Sequence, residues 1–194
     1  MSVFGEPAER HEVREHAAPS LGLRSQDGLH WWCKTVAQLR KPVTGELIEE
    51  RTIEGNMLVL GGASLMWEYA LGNGTTSTGS AKHYLNAKCA LGIGNSSVAA
   101  VNTQKALQGA SKVFKIMSAG YPTHTTGSTV SAAGQYVLKS TFTTLQGNFT
   151  WWEWGVASIA TTAAVQRLIT RKVQNLLTKT SAATASLTLT LTLS

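Results

Sequence analysis

The last strand-like segment of the chain alternates strictly between apolar and hydroxyl side chains. Residues 186–193 read SLTLTLTL, with leucine at every second position and threonine between. Successive side chains of a β-strand point to opposite faces of the sheet, so this pattern predicts a strand with one buried face and one polar face. We therefore expect the C-terminal segment to be built into a sheet.

Shorter runs separated by turn residues predict further strands. A hairpin is expected over residues 29–54, where Pro42 and Gly45 lie between two strand-like runs. Other runs with strand character lie at 84–94, 112–117, 135–144 and 149–156. Residues 165–176 are compatible with a helix or with two short strands. Many short strands with Gly, Thr and Ser between them are typical of an antiparallel β-sandwich.

Two segments are predicted to be helical, and the first of them has apolar residues at helical spacing. Residues 63–71 predict one short helix, and residues 99–109 predict a second, with Leu107 as its apolar anchor. The polar segment 120–129 is expected to be a loop. The predicted fold class is thus mainly β, an antiparallel β-sandwich with one or two short helices and an extended N-terminal arm.

The arm is predicted from the first part of the chain, where proline and glycine punctuate alternating acidic and basic residues. We assign residues 1–28 to the arm and residues 29–194 to a β-sandwich-like domain. Within this domain, residues 29–54 form the hairpin and residues 55–194 the body. Arms of this kind become ordered only when another chain supplies a surface, so we expect this one to contact a partner.

Charge is distributed unevenly. The chain has a net charge of +6, but residues 1–68 have 7 basic and 10 acidic side chains, whereas residues 69–194 have 10 basic side chains and one acid, Glu153. Catalytic carboxylate pairs, two-metal sites and Ser-His-Asp triads all need acids near the site. The sequence therefore predicts a protein that is not an enzyme.

Other site classes are also disfavoured. No histidines and cysteines have a metal-ligand spacing, so we expect neither a metal nor a cofactor. The basic residues are scattered, which disfavours specific nucleic-acid binding. No apolar run approaches about 18 residues and no apolar signal segment is visible, so no membrane association is expected. Cys33 and Cys89 are expected to be reduced, buried thiols.

Five tryptophans lie in two short runs of the sequence, and these five residues are our interface candidates. They are Trp31, Trp32, Trp151, Trp152 and Trp154. Strand alternation predicts that Trp152 and Trp154 share one face and that Trp151 lies on the other. One face is expected in the core. Large aromatic side chains on both faces would indicate an additional subunit contact, so we predict a homo-oligomer.

Glu153 lies between tryptophans in the second of these runs. A lone carboxylate there is costly unless it is paired. Basic partners are available at Arg167, Arg171 and Lys172. We predict a structural ion pair of Glu153 with Arg167 or Arg171 rather than a catalytic acid.

The order of several motifs resembles that of virion structural proteins of tailed bacteriophages. In chain order these are GNMLVLGGASLMWEYALG, LGIGNSS, the Leu107 segment, KVFKIMSAGYP, FTWWEWGVAS and the terminal Thr/Leu strand. The order is similar in particular to the N-terminal domain of phage tail-collar fibre proteins. That domain has a glycine-bearing strand end, a leucine anchor and a Glu-x-Gly strand. Gly92 and Gly94 match the first element, and Glu153 and Gly155 match the last.

The resemblance implies a small virion component, assembled in the host cytoplasm, that docks on capsid, connector or tail proteins. Residues 1–50 have no counterpart in that domain and no fibre shaft follows Ser194, so we do not expect a complete fibre. The component could be a collar or tail-appendage adaptor, or a capsid decoration protein. The alternative is a host-surface binding module for carbohydrate. Trp31 and Trp32 in solvent beside a groove would favour that alternative, whereas their burial at a subunit contact would favour assembly.

Overall fold

The computed structural model describes residues 31–70, 89–124, 135–158 and 167–193. These ranges contain ten strands and one helix. In chain order they are β1 (Trp31–Arg40), β2 (Leu47–Glu54), β3 (Met57–Leu58), α1 (Leu60–Ala70), β4 (Ala90–Gly94), β5 (Lys112–Ile116), β6 (Thr123–His124), β7 (Gln135–Phe142), β8 (Thr150–Ala157), β9 (Thr170–Thr178) and β10 (Thr184–Leu193). The predicted arm, residues 1–28, lies outside the described residues.

The strands form two antiparallel sheets, so the mainly β sandwich predicted from the sequence is confirmed. Sheet 1 has the strand order β2-β1-β10-β7-β6, and sheet 2 has the order β3-β9-β8-β4-β5. The main apolar core lies between the sheets and takes side chains from both. Helix α1 contributes Leu65, which is completely buried.

Strand β10 confirms the alternation of the C-terminal segment. It pairs with β1 on one side and with β7 on the other, which places it in the middle of sheet 1. Leu187, Leu189 and Leu191 are buried in the core, while the threonines between them lie on the outer face. Burial of the leucines against sheet 2 determines the register, because a slip by one residue would turn them to solvent.

The predicted hairpin is formed by β1 and β2. Thr35 pairs with Ile53, and both are buried on the inner face. The turn between the strands contains Gly45, whose φ of 71° lies in the left-handed region that glycine adopts without strain. The turn is held by a backbone hydrogen bond of 2.9 Å from Gly45 N to Lys41 O.

The helix predicted over residues 99–109 is wrong. Between Asn95 and Ser111 the chain has turns and irregular backbone. The amides of Gln108 and Gly109, which a helix would use internally, donate to the carboxylate of Glu153 instead. Tertiary hydrogen bonds thus replace helical ones in this segment.

Three boundaries also differ from the predictions. Residues 170–176 of the ambiguous segment belong to one continuous strand, β9. Two residues of the predicted loop 120–129 form strand β6, which pairs with β7. Helix α1 begins at Leu60, earlier than predicted, and strand β4 begins at Ala90, with residues 84–88 outside the described part of the chain.

Candidate functional site

A buried ion pair lies on the outer face of sheet 2, which is the face turned away from the main core. Arg171 Nη2 lies 2.7 Å from Glu153 Oε2, and both side chains are completely buried. Arg171 Nε also donates to Glu153 Oε2, at 2.8 Å. Arg171 is one of the two partners put forward from the sequence.

Neighbouring strands bring the two charges together. Glu153 of β8 pairs with Val173 of β9, and Arg171 lies two positions before Val173 on the same face. The other candidate partner, Arg167, lies beyond the end of β8. There its backbone amide donates to Ser158 Oγ at 2.9 Å and its carbonyl accepts from Ser158 N at 2.8 Å.

The carboxylate of Glu153 accepts hydrogen bonds from backbone as well as from arginine. Gln108 N donates to Oε2 at 3.0 Å, and Gly109 N donates to Oε1 at 2.5 Å. A buried carboxylate requires such donors because it has left the hydration of water. Both oxygens of Glu153 are therefore engaged by protein groups.

The guanidinium of Arg171 reaches the other end of the same segment. Nη1 donates to Ala99 O at 3.1 Å and to Gln104 Oε1 at 2.5 Å, and Nη2 donates to Val98 O at 2.9 Å. Residues 95–111, which we call the clamped segment, are thus held at two places by one ion pair. The arrangement fixes a surface segment, and neither charged group faces solvent.

Two glycines of β4 make room for this arrangement. Gly94 pairs with Glu153 across the strands, and a Cβ at Gly94 would collide with the carboxylate. Gly92 pairs with Gly155, and a Cβ at Gly92 would lie 2.9 Å from Leu107 Cδ1. Gly92 therefore leaves space for Leu107 and for the Phe114 ring, whereas Gly155 lies against the backbone carbonyl of Thr170.

Leu107 anchors the clamped segment as the sequence suggested, although not through a helix. It forms a small second apolar cluster with Val59 and Leu168, against which Phe114 packs. Sheet 2 is consequently covered on both faces at β4, all five of whose residues are buried. This explains the absence of in-out alternation in the sequence of β4.

On its outer side, the clamped segment presents apolar residues to solvent. Val98 is 59% exposed and Val101 is 47% exposed. Leu60, at the start of α1, is also exposed, and its amide donates to Asn102 O at 2.8 Å. We refer to these three exposed residues, Leu60, Val98 and Val101, together as the apolar patch. Fixed backbone beneath the patch lowers the entropy lost when a partner binds.

The tryptophan side chains that the structure describes differ in their exposure. Trp151 and Trp154 are both completely buried in the main core, whereas Trp152 is 36% exposed and Trp32 is 40% exposed. Trp31 pairs with Leu193 at the end of β1. The interface interpretation is therefore wrong for Trp151 and Trp154, whose surfaces are taken up by their own domain.

A register shift explains why the predicted faces of β8 differ from the observed ones. The pairing of β8 with β9 shifts between Trp151 and Glu153. Strict alternation would place Trp151 and Trp154 on opposite faces, yet both join the inner core. Trp154 Nε1 donates to Thr35 Oγ1 across the core at 3.0 Å. Trp151 Nε1 donates to Gly147 O at 2.8 Å.

Trp32 lies on the outer face of sheet 1, which is rich in hydroxyl groups. Trp32 pairs with Thr192 of β10. The outward side chains of β10 are Thr184, Ser186, Thr188, Thr190 and Thr192. The partly exposed indole is a surface on which a sugar ring could stack, although the Thr192 hydroxyl beside it is buried.

One buried charged group was missed from the sequence. Lys179 has almost no exposed surface, and its Nζ donates to Asn148 Oδ1 at 2.6 Å and to Thr180 O at 3.2 Å. Burial lowers the pKa of Lys179. Its contacts hold the turn between β7 and β8. Because Lys179 follows an ordinary Thr-rich strand end, no local pattern signals this role.

Cys33 is a buried thiol on β1. Burial raises its pKa from 9.0 to about 11, and hydrogen bonds with Thr35 and Asn56 act in the opposite direction. The thiol is therefore neutral in the folded protein at physiological pH. A raised pKa of this kind opposes nucleophilic reactivity, because the thiolate is the reactive form.

We expect the raised pKa of Cys33 to make folding stability fall at alkaline pH. Below about pH 9 the thiol is neutral in both states, whereas between about pH 9 and 11 only the unfolded chain releases the proton. The free energy of unfolding should decrease across this window by an amount on the order of 2–3 kcal/mol. Urea titrations at several pH values measure it. Cys33→Ala should show a correspondingly smaller decrease, and equal decreases in both proteins would contradict the assignment.

In the described ranges, no three His, Cys, Asp or Glu side chains are grouped so that they could hold a metal ion. The one helix of the described part of the chain is too short to cross a membrane. Comparison of the chain with protein-family models, curated proteins and solved structures finds no match.

Proposed function

We propose that this chain is a non-enzymatic structural protein of a tailed-bacteriophage virion. In this role it docks on other virion proteins, as a collar or tail-appendage adaptor or as a capsid decoration protein. The observation that carries the proposal is the meeting of the resemblance motifs in one cluster. In this cluster, motifs that are far apart in sequence together hold the clamped segment against sheet 2.

The cluster joins all three elements of the resemblance to tail-collar fibre proteins. The glycine-bearing strand end supplies Gly92 and Gly94, the leucine anchor is Leu107, and the Glu-x-Gly strand supplies Glu153 and Gly155. Their contacts depend on one another: Gly92 leaves space for the leucine and Gly94 leaves space for the carboxylate. Residues that are far apart in sequence thus contact one another in this cluster, and this convergence is what supports the proposal.

The apolar patch is the surface that we assign to docking. Apolar residues surrounded by a polar surface are typical of protein contacts. Arg171 holds the backbone carbonyls beneath the patch, so little conformational entropy remains to be lost on binding. The partners in this proposal are capsid, connector or tail proteins.

Particle incorporation tests the proposal. Purified particles of a phage encoding this chain should contain it in a fixed copy number by quantitative mass spectrometry. Val98→Asp combined with Val101→Asp should reduce incorporation at least about tenfold, because two buried unpaired charges oppose docking. Val43→Asp is the matched control, since Val43 is 94% exposed in the β1–β2 turn, and it should be incorporated normally.

Two outcomes would contradict this proposal separately. Absence of the protein from wild-type particles would refute the virion role. Normal incorporation of the doubly substituted, folded protein would refute the docking role of the apolar patch alone. Circular dichroism and the melting temperature of each purified variant establish that it is folded.

A second candidate function, carbohydrate binding at a host surface, rests on Trp32. Its indole is partly exposed at the end of the hydroxyl row on sheet 1. Binding of an oligosaccharide would quench or shift tryptophan fluorescence, and Trp32→Ala should abolish the signal. Trp152→Ala, which changes a tryptophan of similar exposure, is the control. Unchanged glycan binding by Trp32→Ala would show that the surface around Trp32 is not the binding site.

A further inference from the structure

The two sheets have four edges in the described part of the chain. Two edges are the two-residue strands β3 and β6. The other two are longer: β2 has eight residues at one edge of sheet 1, and β5 has five at one edge of sheet 2. Only the longer edges offer a row of backbone groups to an added strand.

The two longer edges have opposite charges. Strand β2 contains three glutamates, Glu49, Glu50 and Glu54, and one arginine, a net charge of −2. Strand β5 contains Lys112 and Lys115 and no acid, a net charge of +2. Pairing either edge with its own copy would bring together two strands of the same net charge, whereas pairing β2 with β5 brings together strands of opposite net charge.

Both edges also combine charge with exposed apolar side chains. Leu47 and Ile48 are exposed on β2, and Ile116 is exposed on β5. One end of β5 is already occupied, since Ser140 Oγ lies 3.0 Å from both Lys115 O and Ile116 O. The part open to an added strand is therefore the first half of β5, beginning at Lys112.

We propose that these edges join copies of this chain head to tail, with β2 of one copy added beside the first half of β5 of the next. The partner is a second copy of this chain, selected by charge complementarity between the edges. The contact is heterologous, so successive copies close into a ring or continue as a filament according to the rotation between them. This inference does not depend on the virion role.

Charge on an edge strand has another established effect, which is to prevent unwanted pairing. The two effects make opposite predictions for charge reversal. If the charges prevent association, reversing one edge should not weaken any assembly. If they select the partner, reversal of one edge should disrupt assembly and reversal of both should restore it.

The experiment uses the full chain and three variants, with mass measured by light scattering over a range of concentrations. The first variant combines Glu49→Lys with Glu50→Lys, and the second combines Lys112→Glu with Lys115→Glu. The third variant has all four substitutions. Circular dichroism and melting temperature establish that each remains folded. Glu50 and Lys112 are exposed and Glu49 and Lys115 are half-buried, and the surface ion pair of Glu49 with Arg51 contributes little to stability.

We expect the wild-type protein to associate and each single-edge variant to associate at least about tenfold more weakly, because both of its edges then have the same sign. The variant with both edges reversed should regain association. An equimolar mixture of the two single-edge variants should also associate, since each edge of one complements an edge of the other. Added salt should weaken all these complexes.

Three results would overturn the inference. The wild-type protein could be monomeric at every concentration. Alternatively, the single-edge variants could associate as strongly as the wild-type protein, which would place the contact elsewhere. The third result is a failure of both the mixture and the doubly reversed variant to regain association. It would show that the edge charges do not select the partner.

Discussion

Replacing Glu153 by glutamine is expected to lower the free energy of unfolding by about 3–5 kcal/mol. The substitution leaves Arg171 completely buried without its counter-charge. It also replaces a carboxylate oxygen by an amide nitrogen, which cannot accept from Gln108 N or Gly109 N. Urea unfolding, followed by circular dichroism, measures the change.

A surface ion pair supplies the matched control. Lys41 Nζ lies 2.8 Å from Glu46 Oε2, close to the distance in the buried pair, but both side chains are more than half exposed. Glu46→Gln should therefore change stability by no more than about 1 kcal/mol. Similar losses for the two substitutions would show that burial does not determine the contribution of Glu153.

Hydrogen exchange locates the effect of Glu153→Gln within the molecule. The amides of Gln108 and Gly109 should lose protection more than amides in the middle of β10, because they donate to the substituted group. A uniform loss throughout the protein would contradict the role of Glu153 as a clamp for residues 95–111.

Replacing Trp154 by alanine is expected to destabilise the protein by about 3–5 kcal/mol. Trp154 is completely buried between the sheets, so its removal leaves a cavity in the core. It also leaves Thr35 Oγ1 without the indole donor that lies 3.0 Å away. Chemical denaturation of the purified variant gives the difference.

Trp152→Ala is the control for that experiment, because the residue lies two positions earlier in the same strand. Trp152 is 36% exposed, so its site opens to water and no closed cavity remains. We expect no more than about half the loss found for Trp154→Ala. Equal losses would show that the two tryptophans are equally structural and would contradict the distinction between a core residue and a surface residue.

Local patterns were sufficient for the elements whose packing is simple. Strand β10 is covered by sheet 2 on one face only. Its leucines therefore lie on the covered face and its threonines on the other. The hairpin of β1 and β2 has a glycine in the turn and contacts that are close in sequence. In both cases the periodicity of the chain and the periodicity of burial coincide.

Such patterns failed where a segment is covered on both sides or held by distant groups. A helix is predicted over residues 99–109, but two amides of this segment donate to Glu153 and the carbonyl of Ala99 accepts from Arg171. Trp151 and Trp154 are three positions apart, so regular alternation would place them on opposite faces of β8. Both lie in the core because the pairing of β8 with β9 shifts between Trp151 and Glu153. Neither interaction is local in sequence.

By itself, the sequence determined the mainly β class, the inward leucines of β10 and the requirement that Glu153 have a basic partner. The requirement follows from the cost of an unpaired charge, which is the same wherever it is buried. The tertiary structure alone decided that the partner is Arg171 and that the pair clamps residues 95–111. This depends on the register of β8 against β9 and on the space left by Gly92 and Gly94, and both arise only when distant strands meet.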